Sequence, residues 1–179
     1  NFLACPFDAL GSTMATYGAQ NVGASRYDRL NKGIYSASLM GFGYSLLAFG
    51  VAWFFGRSLT GLFVSGGNSA QLVELAQTYM ITNVLAYPLL TLVNVVRFMI
   101  QGMGFSMFAI LAGVMEMAAR SLAGMFLVPA LGYFGAALGS PLAWVAADLF
   151  LVPAYFRCRR VLMSQSHHLH VMGERAELN

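Results

Sequence analysis

The chain has 179 residues, of which ten are Lys or Arg and seven are Asp or Glu, for a formal net charge of +3. With 58% hydrophobic and only 9% charged residues, it departs from soluble domains, where about a quarter of residues carry charge. So few charges leave most of a globular surface apolar. Disorder demands the opposite composition, and a weak, dispersed positive charge makes no phosphate-neutralising stripe for nucleic acid. The composition is that of a membrane protein.

Uncharged stretches at 33–56, 75–96, 98–115 and 121–147 reach the length of about 20 residues that crosses a bilayer as a helix. Five spans are expected. The first covers Phe2 to Ala19, with Pro6 near its start, and the chain is read as entering it from within a longer polypeptide, because no basic segment of the signal-peptide kind precedes it. A polar loop, Gln20 to Asn31, carries Arg26, Asp28 and Arg29. The second span covers Ile34 to Phe55. After the turn cluster Ser65-Gly66-Gly67-Asn68-Ser69, the third covers Leu72 to Gln101, with a kink at Pro88. Gly102-Met103-Gly104 turns the chain into the fourth, Phe105 to Val128, stopped by Pro129. The fifth covers Gly139 to Phe156, and a polar tail follows the basic run Arg157, Arg159 and Arg160. Two units are expected: residues 1–160 as the membrane bundle and 161–179 as the tail.

Basic residues concentrate on the cytoplasmic side of a membrane. The arrangement that places Arg26, Arg29, Lys32, Arg97, Arg157, Arg159, Arg160 and Arg175 inside leaves only Arg57 outside and Arg120 within the membrane. The C-terminus is then cytoplasmic in a multi-pass protein of the plasma membrane.

Ionisable groups at membrane depth are costly and hence functional candidates. Glu116 and Arg120 lie four apart on one helical face, and Asp148 stands at a similar depth on the next helix. The expected cluster places the Arg120 guanidinium between two carboxylates, either as an ion pair holding the helices in register or as a proton- or cation-handling site. Arg97, about one turn from the cytoplasmic end, reads as a snorkelling anchor. Asp8 has no basic residue on its own span. Pro6 removes a backbone donor two positions earlier and can open the helix beside the carboxylate. Asp8 therefore suits a bound cation or proton, or else a protonated, hydrogen-bonded carboxyl or a pair with a helix outside this sequence. The glycine pair Gly135 and Gly139, and the set Gly41, Gly43 and Gly50, suggest close helix packing. Tyr44, Trp53, Phe54 and Phe55 suit a pocket lining or the interfacial belt, with Trp53 in the belt. His167, His168 and His170 sit in the tail without a fourth ligand, and Cys5 and Cys158 lie far apart. Neither set implies a metal site, and no cofactor is expected. An intramembrane enzyme would need a nucleophile with a base, and no His or Lys lies in the spans.

The order of several short motifs resembles the multidrug and toxic compound extrusion (MATE) transporters. They are Gln20-Asn21-Val22-Gly23-Ala24 before the basic loop, Gln101-Gly102-Met103-Gly104, then Glu116 and Arg120, Leu131-Gly132-Tyr133-Phe134-Gly135 and Pro141-Leu142-Ala143-Trp144. The resemblance extends from Pro6 to Arg160. It implies an all-α polytopic bundle whose five helices correspond to helices 8–12 of a twelve-helix, two-lobed exporter, with the N-terminal lobe supplied by the missing part of the same protein. It implies antiport of cationic, amphipathic compounds against protons or sodium ions. It also implies structural roles for Pro6, Gln20, Asn21, Gly23, Ala24, Gln101 and Gly102. Two other readings stand beside it: a flippase of lipid-linked oligosaccharides in the same superfamily, and a non-catalytic membrane subunit that assembles with a separate N-lobe chain.

Overall fold

The computed structural model describes residues 2–63 and 69–177. After a single 3-10 turn, Phe2–Ala4, come six helices: α1 (Cys5–Gly23), α2 (Asp28–Phe63), α3 (Ser69–Leu85), α4 (Tyr87–Gly102), α5 (Ser106–Leu131) and α6 (Tyr133–Glu177). The described residues contain no strand, as the bilayer requires of a spanning chain that is not a closed barrel.

Among the described residues three helical stretches are long and apolar enough to cross a membrane: Asp28–Ser58, Ser106–Leu131 and Tyr133–Gln165. The pair α3 and α4, bent by 51°, makes a fourth. The bend falls at Ala86, because Pro88 has no N–H to donate and its ring collides with the carbonyl four residues earlier. Pro88 instead occupies the first turn of α4. The expected first span, α1, does not meet the same standard of length and apolarity. Asp8, Gln20, Asn21 and its small polar residues dilute it.

Helix ends differ from the expected ones, and for α1, α2 and α6 the reason is shared. A helix satisfies its own backbone whether or not lipid surrounds it, so it need not unwind where the apolar run stops. The polar loop expected from Gln20 to Asn31 shrinks to residues 24–27, where Ser25 adopts a positive φ of 55°. Likewise α6 runs through the expected tail to Glu177 as one helix. Pro129 does not stop α5 either. A proline disturbs the turn before it, not the residues after it, so the helix continues to Leu131 and ends at Gly132, with φ 59°. Gly104, at φ 92°, turns α4 into α5 as the glycine motif suggested.

Helix α4 is the centre of the bundle and touches each of the other five. Its buried residues include Tyr87, Thr91, Val93, Asn94, Val96 and Met99. Helix α1 lies along it through Phe7, Gly11, Met14, Gly18 and Asn21, all buried. Their alternating spacing of four and three is that of a stripe on one helical face. The seam is close. A side chain at Gly102 would run into the Ala15 carbonyl, and one at Gly11 would meet the Phe98 ring. Phe7 stands edge-on to both Tyr44 (5.2 Å) and Tyr87 (5.1 Å), and Tyr87 in turn faces Trp144 at 6.4 Å. Four helices thus meet at one aromatic cluster.

Of the expected glycine contacts, Gly41 lies against Thr91 and Gly135 against the Leu127 carbonyl. Gly43, Gly50 and Gly139 have nothing within 4 Å that a side chain would meet, so these three are not packing contacts among the described residues. Trp53 is exposed and stacks on Phe49 at 5.9 Å, whereas Tyr44 belongs to the aromatic cluster.

Candidate functional site: a charge cluster between α4, α5 and α6

Glu116 projects from the middle of α5 and is 8% exposed. Two guanidiniums hold it. Arg97, from α4, forms an ion pair with Oε1, and Arg120, one turn along α5, donates to Oε2 at 3.3 Å. The side chain of Arg97 is 21% exposed and that of Arg120 is 49% exposed, so Arg97 is the inner partner. This reverses the expected arrangement: a carboxylate sits between two guanidiniums, not a guanidinium between two carboxylates. Arg97 is correspondingly not a snorkelling anchor. The turn at Gly104 folds α4 back beside α5, and the Arg97 side chain is long enough to meet Glu116 across that seam.

Asp148, on α6, does not join the pair. Both carboxylate oxygens are buried without a hydrogen-bond partner among the described residues, although Arg97 is close enough for its charge to act on them. A cavity of about 400 Å³ borders Asp148 and is otherwise lined by Leu89, Leu92, Val145, Leu149, Val152 and Pro153. Arg97 and Arg120 thus surround Glu116, and Asp148 stands beside them without an ion pair among the described residues. In a medium of low dielectric the pairing of Glu116 is what makes its charge tolerable, since an isolated charge there costs on the order of several kcal/mol.

Asp8 occupies a different place. It is exposed on α1, and the Asn94 amide of α4 donates to its Oδ1 at 3.4 Å. Among the described residues Asp8 forms no ion pair. Pro6 sits in the first turn of α1, where the N–H it lacks would have had no partner within the helix. The expected opening of the helix beside Asp8 therefore does not occur. Asn94 was not visible as a partner in the sequence. Its only signal was an amide within an otherwise apolar run, three residues before Arg97.

The family-motif residues lie at the ends of α1 and α4. Asn21 is buried and donates to the Tyr17 carbonyl at 2.8 Å, while its own carbonyl accepts from the Arg26 backbone at 2.8 Å. Ala24 caps α1 by donating to the Gln20 carbonyl, and Gly23 is the last residue of that helix. Gly102 lets α4 meet the α1 backbone. Gln20 and Gln101 are exposed. The side chains of His167, His168 and His170 lie outside the described residues.

The features so far define a multi-pass helical membrane protein with a neutralised charge cluster inside its bundle. The MatE family matches residues 1–129 of the chain, and the chain belongs to that family, whose members are transporters of the MATE superfamily. No curated protein and no solved structure matches it.

Proposed function

We propose that the chain forms the C-terminal lobe of a secondary active exporter of cationic, amphipathic compounds, driven by exchange with protons or sodium ions. The observation that carries this reading is Asp8. It is a carboxylate on the surface of the bundle, oriented by an uncharged amide and without a cationic partner among the described residues. An organic cation and a coupling ion compete for such a group, and their binding moves the transporter between states only in proportion to their preference for one of them. Glu116 is ill placed for the same work, because two guanidiniums already occupy its oxygens. We assign Glu116 and Arg120, with Arg97, to holding α4 and α5 in register. Asp148 remains a candidate for the coupling ion.

In this reading a companion N-terminal lobe closes the cavity, and the basic ends of α2 and α6 face the cytoplasm across the plasma membrane. The flippase reading is weakened, because the two guanidiniums at membrane depth are engaged by Glu116 and not free for a pyrophosphate. The test is export of a fluorescent organic cation by the full-length protein carrying Asp8→Asn or Asp8→Glu. The Asn variant is expected to lose at least about tenfold in rate at normal abundance, and Glu to restore part of it. Unchanged export by Asp8→Asn would remove Asp8 from the mechanism.

A further inference from the structure

Just beyond the apolar part of α6, Phe156, Arg159, Arg160, Met163 and Ser164 line an open surface hollow of about 460 Å³. Their spacing of three and four places them on one face of the helix. The Nε of Arg159 is buried without a hydrogen-bond partner among the described residues. A buried guanidinium donor of this kind is expensive unless something accepts from it. One turn earlier, the Tyr155 hydroxyl donates to Asn31 Oδ1 at 2.7 Å. This bond ties the end of the α6 span to the start of α2 and so brings Arg26, Arg29 and Lys32 to the same end of the bundle as Arg157, Arg159 and Arg160. Asp28 is the one acidic side chain that the described part of this end sets against six cations.

We propose that this hollow binds the phosphate of an anionic phospholipid headgroup. The two guanidiniums and the Ser164 hydroxyl supply donors for the phosphate oxygens, guanidinium being well matched to phosphate by its planar fork of N–H groups. Phe156 and Met163 supply an apolar wall for the glycerol and upper acyl carbons. The level is right as well. The site begins where the apolar stretch of α6 gives way to arginine, which is the depth of the headgroups. A zwitterionic lipid also carries a phosphate, but the surrounding cations repel its ammonium. The site therefore selects lipids of net negative charge, and it draws its energy from the polybasic rim as well as from direct contacts.

The test is native mass spectrometry of the purified full chain, equilibrated in neutral-detergent micelles with equal amounts of phosphatidylglycerol and phosphatidylcholine. Wild-type protein is expected to retain phosphatidylglycerol preferentially. Arg160→Gln, at an exposed position that folding tolerates, should weaken retention about fivefold, as removal of one interfacial cation does. The double change Arg159→Gln with Arg160→Gln should abolish the preference. Replacing both arginines by lysine should keep the preference for negative lipid at lower retention, and this variant decides the matter if the double Gln variant fails to fold. Equal retention of the two lipids, or a preference that survives Arg160→Gln unchanged, overturns the proposal. So does displacement of the lipid by millimolar inorganic phosphate, which would make the hollow a site for a soluble anion.

Discussion

Removing Arg97 should destabilise the bundle far more than removing Arg120, although both contact the same carboxylate. Glu116 is 8% exposed, and taking away one partner of a buried ion pair costs about 3–5 kcal/mol, chiefly because the remaining charge is stranded. Arg120 survives in the Arg97→Met variant and keeps its 3.3 Å contact, so we place the loss at the low end, about 3 kcal/mol. Arg120 itself is half exposed, and pairs of that kind are worth about 0.2–1 kcal/mol. A difference of at least about 2 kcal/mol separates Arg97→Met from Arg120→Met, or roughly thirtyfold in the unfolding equilibrium. The assay is denaturant titration of the purified chain in micelles, read from the fluorescence of Trp53 and Trp144. Combining Arg97→Met with Glu116→Leu should recover much of the loss, because an apolar pair replaces the ionic one. Recovery stays partial while Asp148 lacks the Arg97 charge, and adding Asp148→Asn should complete it. Equal costs for the two arginines, or a double variant as damaged as the sum of its singles, would refute an inner Arg97–Glu116 pair.

Three further outcomes are expected. Gly102→Ala should cost about 1–3 kcal/mol, the usual range for overpacking, because its side chain meets the rigid Ala15 carbonyl; Gly43→Ala, which meets nothing within 4 Å, should be neutral or mildly stabilising in the same titration. Tyr155→Phe removes the bond to Asn31 and should cost about 1 kcal/mol, with no additional loss when Asn31→Ala is combined with it. Asn94→Leu, which deletes the donor to Asp8, should weaken binding of an organic cation to the full-length protein while leaving the fold intact; binding unchanged within error would show that Asp8 needs no orientation by α4.

Much of the bundle was readable along the chain because its signals are local. The apolar runs mark α2, α5 and α6. The kink at Pro88 follows from a missing donor, and the reversal after Gly102 follows from glycine at Gly104. The alternating stripe Phe7, Gly11, Met14, Gly18 and Asn21 was equally present, although it acquires meaning only once α4 is known to lie against it. Helix ends were less legible. Polarity marks where the hydrocarbon stops, and helices such as α2 and α6 continue past that level at no cost to their hydrogen bonds.

The charged groups divide in the same way. The expectation that Glu116, Arg120 and Asp148, set in apolar stretches, require neutralisation follows from composition, since low dielectric penalises any bare charge wherever the helices are placed. Which charge neutralises which is a question of rotation and offset between helices, and periodicity along one helix carries no information on either. Only the packed bundle turns Arg97 onto Glu116, leaves Asp148 without a hydrogen bond among the described residues, and sets Asn94 beside Asp8. The sequence by itself determined a helical membrane protein, because burial of apolar length and self-satisfaction of the backbone are properties of single segments, and the order of its short motifs carried the likeness to the MatE family. The tertiary structure decided the pairing of its charges, because an ion pair is made by two segments and a few ångströms of relative placement change its partners.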